Sequence, residues 1–198
     1  MERKERMRET IVNLNLPQET KEFLLKIKIE EDEFEYINIK FFSEENGFLC
    51  DVVEWTKIND LTLKDLNEDY VDEFLGELEK FRDYHVIAEN LNSGNLIAAQ
   101  EGTGEIYELE HEVIEEIVTY FVNSSLPKAY ESMNYFKEIK DKVLRFRKQE
   151  SVEKIQEMFE RDIQKFSLMD SKVVIDGNEN NSQFWNGVLF SFKEWCFD

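Results

Sequence analysis

An α+β fold is what this sequence predicts: a small, mostly antiparallel sheet with helices packed on it, plus a C-terminal helical extension. Three observations lead there. Between Tyr84 and Leu109, short β-rich runs alternate with glycine-containing turns. After Ser125, apolar residues recur every three or four positions, as on one face of a helix. The composition, 41% hydrophobic with 16 Phe, 7 Tyr and 3 Trp, supplies a core and excludes wholesale disorder. A chain of 198 residues fits one domain over 1–198, with a core of about 16–136 and C-terminal helices of about 137–198.

The elements follow in order. Leu16-Pro17-Gln18-Glu19 opens a short helix, since proline suits a first turn whose N–H needs no partner. Phe23, Leu24 and Ile27 share one face of it, and the acidic turn Glu30-Glu31-Asp32-Glu33 ends it. Tyr36 to Phe41 alternates as a strand, with Ile37, Ile39 and Phe41 on one side. Asn46-Gly47 signals a tight turn, and Phe48 to Trp55 reads as the returning strand. Tyr70 to Phe81 has the helical pattern Val71, Phe74, Leu75, Leu78.

The middle of the chain predicts a three-strand antiparallel meander: Tyr84–Ala88, Leu96–Ala99 and Ile106–Leu109. Asn92-Ser93-Gly94-Asn95 and Gly102-Thr103-Gly104 form its turns. Ile117 to Val122 is β-branched and aromatic and adds a fourth strand, although Val113, Ile114, Ile117 and Phe121 also fit a helical face. Met133, Phe136, Ile139, Val143 and Phe146 then mark a helix, with Ser124 or Ser125 as its cap. Val152 through Phe166 marks a second. Asp176-Gly177-Asn178 is a loop. Ser182 caps a last helix with Trp185, Val188, Leu189, Phe192 and Trp195 on one side.

The charge restricts the partners. Lys+Arg 24 against Asp+Glu 44 gives 24 − 44 = −20. Binding to nucleic acid or to an anionic membrane surface needs clustered basic residues, so neither is expected. From Asp83 to Pro127 there is no Lys or Arg, but nine carboxylates. From Lys137 to Lys172 ten basic residues face eight acidic ones. A one-sign surface beside a mixed one steers oppositely charged proteins toward it. No apolar run approaches the roughly 20 residues of a membrane span, and MERKERMRET leads into no signal-peptide stretch. A cytoplasmic protein is expected, with Cys50 and Cys196 as reduced thiols.

No catalytic signature emerges. His85 and His111 have no further ligands at metal-site spacing, so no metal and no cofactor are expected. Gly102-Thr103-Gly104-Glu105 lacks the lysine and following helix of a phosphate cradle and reads as a hairpin turn. Asn123-Ser124-Ser125 lacks the elbow around a nucleophile and reads as a helix start. Carboxylates are abundant, but nothing singles out one catalytic pair.

Three segments together resemble the SUKH superfamily, most closely its fourth subgroup of bacterial immunity proteins. The first is Val86-Ile87-Ala88-Glu89-Asn90 followed by Gly94-Asn95-Leu96-Ile97-Ala98-Ala99 and Gly102-Thr103-Gly104-Glu105-Ile106-Tyr107. The second is Phe121-Val122-Asn123-Ser124-Ser125-Leu126. The third is Asp170 followed by Phe184-Trp185 and Val188-Leu189. Leu16-Pro17 with Phe23-Leu24 is similar to the first helix of the wider superfamily. The chain differs in having Ser171 where a proline often follows the aspartate and Ala129-Tyr130 in place of a phenylalanine. The resemblance implies the same α+β fold and a non-enzymatic antidote to a polymorphic toxin, often one that acts on nucleic acid.

The expected function is that of an immunity protein that binds a cognate toxin, a basic protein, and occludes its active site. The alternative is a scaffold or regulatory binding module unrelated to toxins. Glu101, Glu105, Glu108, Glu110 and Glu112 are the candidate contacts, because they lie on turns and strands of the base-free stretch.

Overall fold

The computed structural model describes residues 2–26, 33–43, 45, 47–59, 67–110, 118–176 and 183–197. Among them, β1 (Ile39–Phe41), β2 (Tyr84–Asn90), β3 (Leu96–Gln100), β4 (Ile106–Glu110) and β5 (Val118–Asn123) form one sheet in sequence order, each antiparallel to its neighbours. The fold is α+β. The meander appears where glycines allow it. Gly94, Gly102 and Gly104 all adopt positive φ, which a side chain would strain. Gly104 also packs against Pro17, where an added Cβ would stand 2.7 Å from the ring. Beside it, the Gly102 N–H donates to the Asn15 carbonyl at 2.7 Å. The hairpin thus holds the start of the chain in place.

Helices cover both faces of the sheet. In β3, Leu96, Ile97, Ala98 and Ala99 are all buried, which requires apolar cover on both sides. On one side Leu96, Ala98, Val86 and Leu109 join a cluster with Val52 and Val53 of α3 (Val52–Asn59) and with Phe74 and Leu78 of α4 (Glu68–Leu78). On the other, Ile97, Ala99, Ile106 and Val122 join a larger cluster built mainly by α5 (Leu126–Phe146), α6 (Val152–Ile163) and α8 (Phe184–Phe197). This second cluster runs from Ile11 to Cys196, so the C-terminal helices complete the sheet's own core. Trp185 is its keystone, with Phe166 at 4.7 Å and Phe136 at 6.2 Å between ring centroids. The N-terminal α1 (Glu2–Asn13) and α2 (Gln18–Lys26) pack on each other, and α2 also meets α5. Phe166 comes from a further short helix, α7 (Lys165–Met169).

Several elements differ from the sequence expectation. Tyr36 and Ile37 lie in a 3-10 turn, Glu35–Ile37, and the strand begins only at Ile39. The reversal comes at Asn38, whose φ of 57° is left-handed. The returning strand at Phe48 to Trp55 survives only as a bridge between Asp51 and His85. After it the chain turns into α3, because the Asp51 carboxylate accepts the Glu54 N–H at 2.9 Å and so caps a helix. Ser125 stands at the start of α5 but makes no side-chain cap bond. The second C-terminal helix stops at Ile163 and restarts as α7. Trp195 sits on the solvent side of α8, 60% exposed. The acidic turn at 30–33 lies largely outside the described residues, as do His111, Asn178 and Ser182.

Candidate functional site

Two buried polar centres stand out, one at the end of β5 and one in the middle of β4. The first gathers the Asn-Ser-Ser segment at the end of β5 with the aspartate after α7 and the tryptophan of α8. Asn123 donates from Nδ2 to Ser132 Oγ at 3.1 Å and to Asp170 Oδ2 at 3.2 Å. Its Oδ1 accepts the Trp185 indole N–H at 3.0 Å. Asp170 is 1% exposed and also accepts the backbone N–H groups of Ser124, at 2.6 Å, and Lys172, at 3.2 Å. Lys128 Nζ lies 3.5 Å from its Oδ1. Burial alone would raise this carboxyl; the N–H groups of Ser124 and Lys172 and the Asn123 amide outweigh it and hold the group below the usual carboxylate range. Every polar atom named here has a partner, as a structural joint requires.

The second centre is Glu108, from the middle of β4, 6% exposed. Asn90 Nδ2 at 2.8 Å, Ser93 Oγ at 3.2 Å and Asn95 Nδ2 at 3.2 Å all donate to its Oε1. Among the described residues no cation pairs with it. Burial is the main cause that pushes its carboxyl up, the Glu110 charge adds to this, and the three hydrogen bonds only partly offset them. The β2–β3 turn supplies the donors because its Asx-type geometry points short polar side chains inward. Asn92 N–H, for example, donates to Asn90 Oδ1 at 3.1 Å.

The five candidate glutamates do not form one uniform open face. Glu101 accepts from His85 Nε2 at 2.8 Å, while the Leu49 carbonyl lies 3.1 Å from Nδ1. Both ring nitrogens thus face acceptors, and His85 ties the β3–β4 turn to the chain before α3. Glu105 pairs with Lys172 and accepts the Tyr107 hydroxyl at 2.7 Å. Burial raises its carboxyl, but the bonds from Lys172 and Tyr107 outweigh that and leave it lowered. Glu108 is enclosed as described. Glu110 accepts the Tyr120 hydroxyl at 3.3 Å. Glu112 lies outside the described residues.

Tertiary structure therefore brings Lys172 to a stretch that has no base of its own. Sequence reasoning missed this pair, and no local signal announced it, since the partners are 67 residues apart. It also missed Asn90 and Asn95 as partners of Glu108, although Asn92-Ser93-Gly94-Asn95 is a turn the sequence predicts.

Among the described residues no helix is long and apolar enough to cross a membrane, and no three His, Cys, Asp or Glu gather in a way that could hold a metal ion. Architecture and site together define an α+β protein in which, among the described residues, the buried carboxylates Asp162 and Asp170 have lysine partners nearby and Glu108 has none. Comparison with protein-family models, with curated proteins and with solved structures yields no match.

Proposed function

We propose that this protein is a cytoplasmic, non-catalytic immunity protein of the SUKH type, which binds a basic toxin domain and covers its active site. The observation that carries this reading is the joint around Asn123. The second and third segments of the SUKH resemblance, remote in sequence, meet there through Asn123, Ser124, Asp170 and Trp185. The first segment supplies the hairpins beside it, which agrees with a shared framework.

The charge supports the mode of action. A chain of net charge −20 approaches a basic cleft fast, and the rate falls as salt screens it. Glu101, Glu105 and Glu110 are the contacts proposed on the hairpin side, and Glu112 is a further proposed contact that rests on the sequence alone.

Co-expression with the product of a neighbouring toxin gene tests the reading. Cell survival and co-purification are expected. Toxicity unrelieved by a folded, abundant protein overturns the reading. Reversal of Glu101 and Glu110 to lysine is expected to slow association with the toxin; unchanged kinetics would remove these contacts.

A further inference from the structure

Between the 3-10 turn at Tyr36, the β2–β3 turn and α8 lies a groove of about 400 Å³. Glu108 is in its lining. All three hydrogen bonds to Glu108 end on Oε1, so among the described residues Oε2 has no donor. Lys140, in the same groove, donates to the Tyr36 carbonyl at 2.8 Å and forms no ion pair with Glu108. Neutral amides do not cancel a carboxylate's charge, and a buried charge without a counter-ion costs free energy.

Aromatic side chains also line the groove. Phe184, Phe192 and the exposed Trp195 are among them. Arg147 lies over the Trp195 ring, 6.0 Å from the centroid, and is not part of the groove lining, which includes Trp195 itself. Tryptophan is also among the residues enriched at binding hot spots.

We propose that this groove receives an arginine side chain from the partner protein, its N–H groups donating to Glu108 Oε2 and its flat face against Trp195. The inference rests on the reading that the protein binds a basic partner and names the contact that such a partner makes. Arginine fits better than lysine because a planar guanidinium donates to a carboxylate and stacks on an aromatic ring at once. The volume suits one long side chain and its backbone rather than a whole helix.

The test is an NMR titration of the full chain with capped Gly-Arg-Gly, compared with the same peptide carrying lysine or citrulline. The arginine peptide is expected to shift the Trp195 indole N–H and the side-chain amides of Asn90 and Asn95. The uncharged citrulline peptide should bind about tenfold more weakly or less. Glu108→Gln should weaken the arginine peptide about tenfold, and Trp195→Ala, at an exposed position, about threefold.

Equal binding of citrulline or lysine, shifts confined to other surfaces, or unchanged binding by Glu108→Gln overturn the proposal. If Glu108→Gln does not fold, the three peptides and Trp195→Ala still decide it. Peptide binding without toxin neutralisation counts against the immunity reading alone. Neutralisation that survives loss of the groove contact counts against the groove alone.

Discussion

Asp170 and Glu108 are both nearly inaccessible carboxylates at the sheet, yet their surroundings differ in kind. Asp170 spreads its bonds over both oxygens, takes two backbone N–H groups and has a lysine nearby. Among the described residues, Glu108 receives only side-chain donors, all on one oxygen, and has no cation. The first arrangement stabilises the ionised form, and the second leaves it short of compensation. The difference separates a group that holds the fold together from a group the fold tolerates. A tolerated buried charge is where function is best sought, since binding sites keep features that stability alone would remove.

The contrast yields tests, the largest effect first. Asp170→Ala leaves the Ser124 N–H and the Asn123 amide without their acceptor, and should cost about 3 kcal/mol in urea denaturation. A loss below about 1 kcal/mol would mean that the joint is not a joint. Asn123→Ala orphans the Trp185 indole and should cost about 2 kcal/mol, with Trp185 fluorescence shifting before global unfolding.

Lys172→Ala removes an exposed partner of Glu105 and should cost less than about 1 kcal/mol, an effect that shrinks in high salt. Glu108→Gln keeps the shape, removes the uncompensated charge, and should leave stability at neutral pH equal to wild type or higher. A clear loss there would erase the contrast.

The pH dependence sharpens it further. Asp170, held below its unfolded value, gives stability that is present above that value and lost as pH falls through the folded one. Glu108, raised in the fold, works the other way: its contribution is complete below the unfolded value and lost as pH rises through the folded one. Denaturation midpoints measured from acid to neutral pH should therefore show the advantage of Glu108→Gln over wild type growing as pH rises. The penalty of Asp170→Ala should shrink toward acid pH.

The meander was legible because each of its turns carries its own signal. Gly94, Gly102 and Gly104 mark positions that need left-handed backbone, and the runs between them are apolar. The segment from Phe48 to Trp55 misled because Val52, Val53 and Trp55 suit a strand as well as a helix. The deciding residue was Asp51, and Asp51 with Glu54 three places on is the spacing of a helix start that reading for alternation passes over. Trp195 fits the apolar stripe of α8, but position on a stripe does not reveal where the core ends. Of the candidate site, the acidic residues were legible and their partners were not. Glu105 meets Lys172 and Asn123 meets Trp185 across 67 and 62 residues, distances over which only the finished fold has information.

The attachment of the early chain to α5 sets a timetable. The Tyr36 hydroxyl donates to the Met133 carbonyl 97 residues later, and Lys140 reaches back 104 residues to the Tyr36 carbonyl. Phe34 and Tyr130 stack edge to face across the same seam. On the ribosome, the segment around Phe34 and Tyr36 must therefore wait for α5 to be synthesised before these contacts can close. A chain cut short ahead of α5 would lack these contacts and leave Phe34 without them, so it is expected to aggregate and to be degraded quickly.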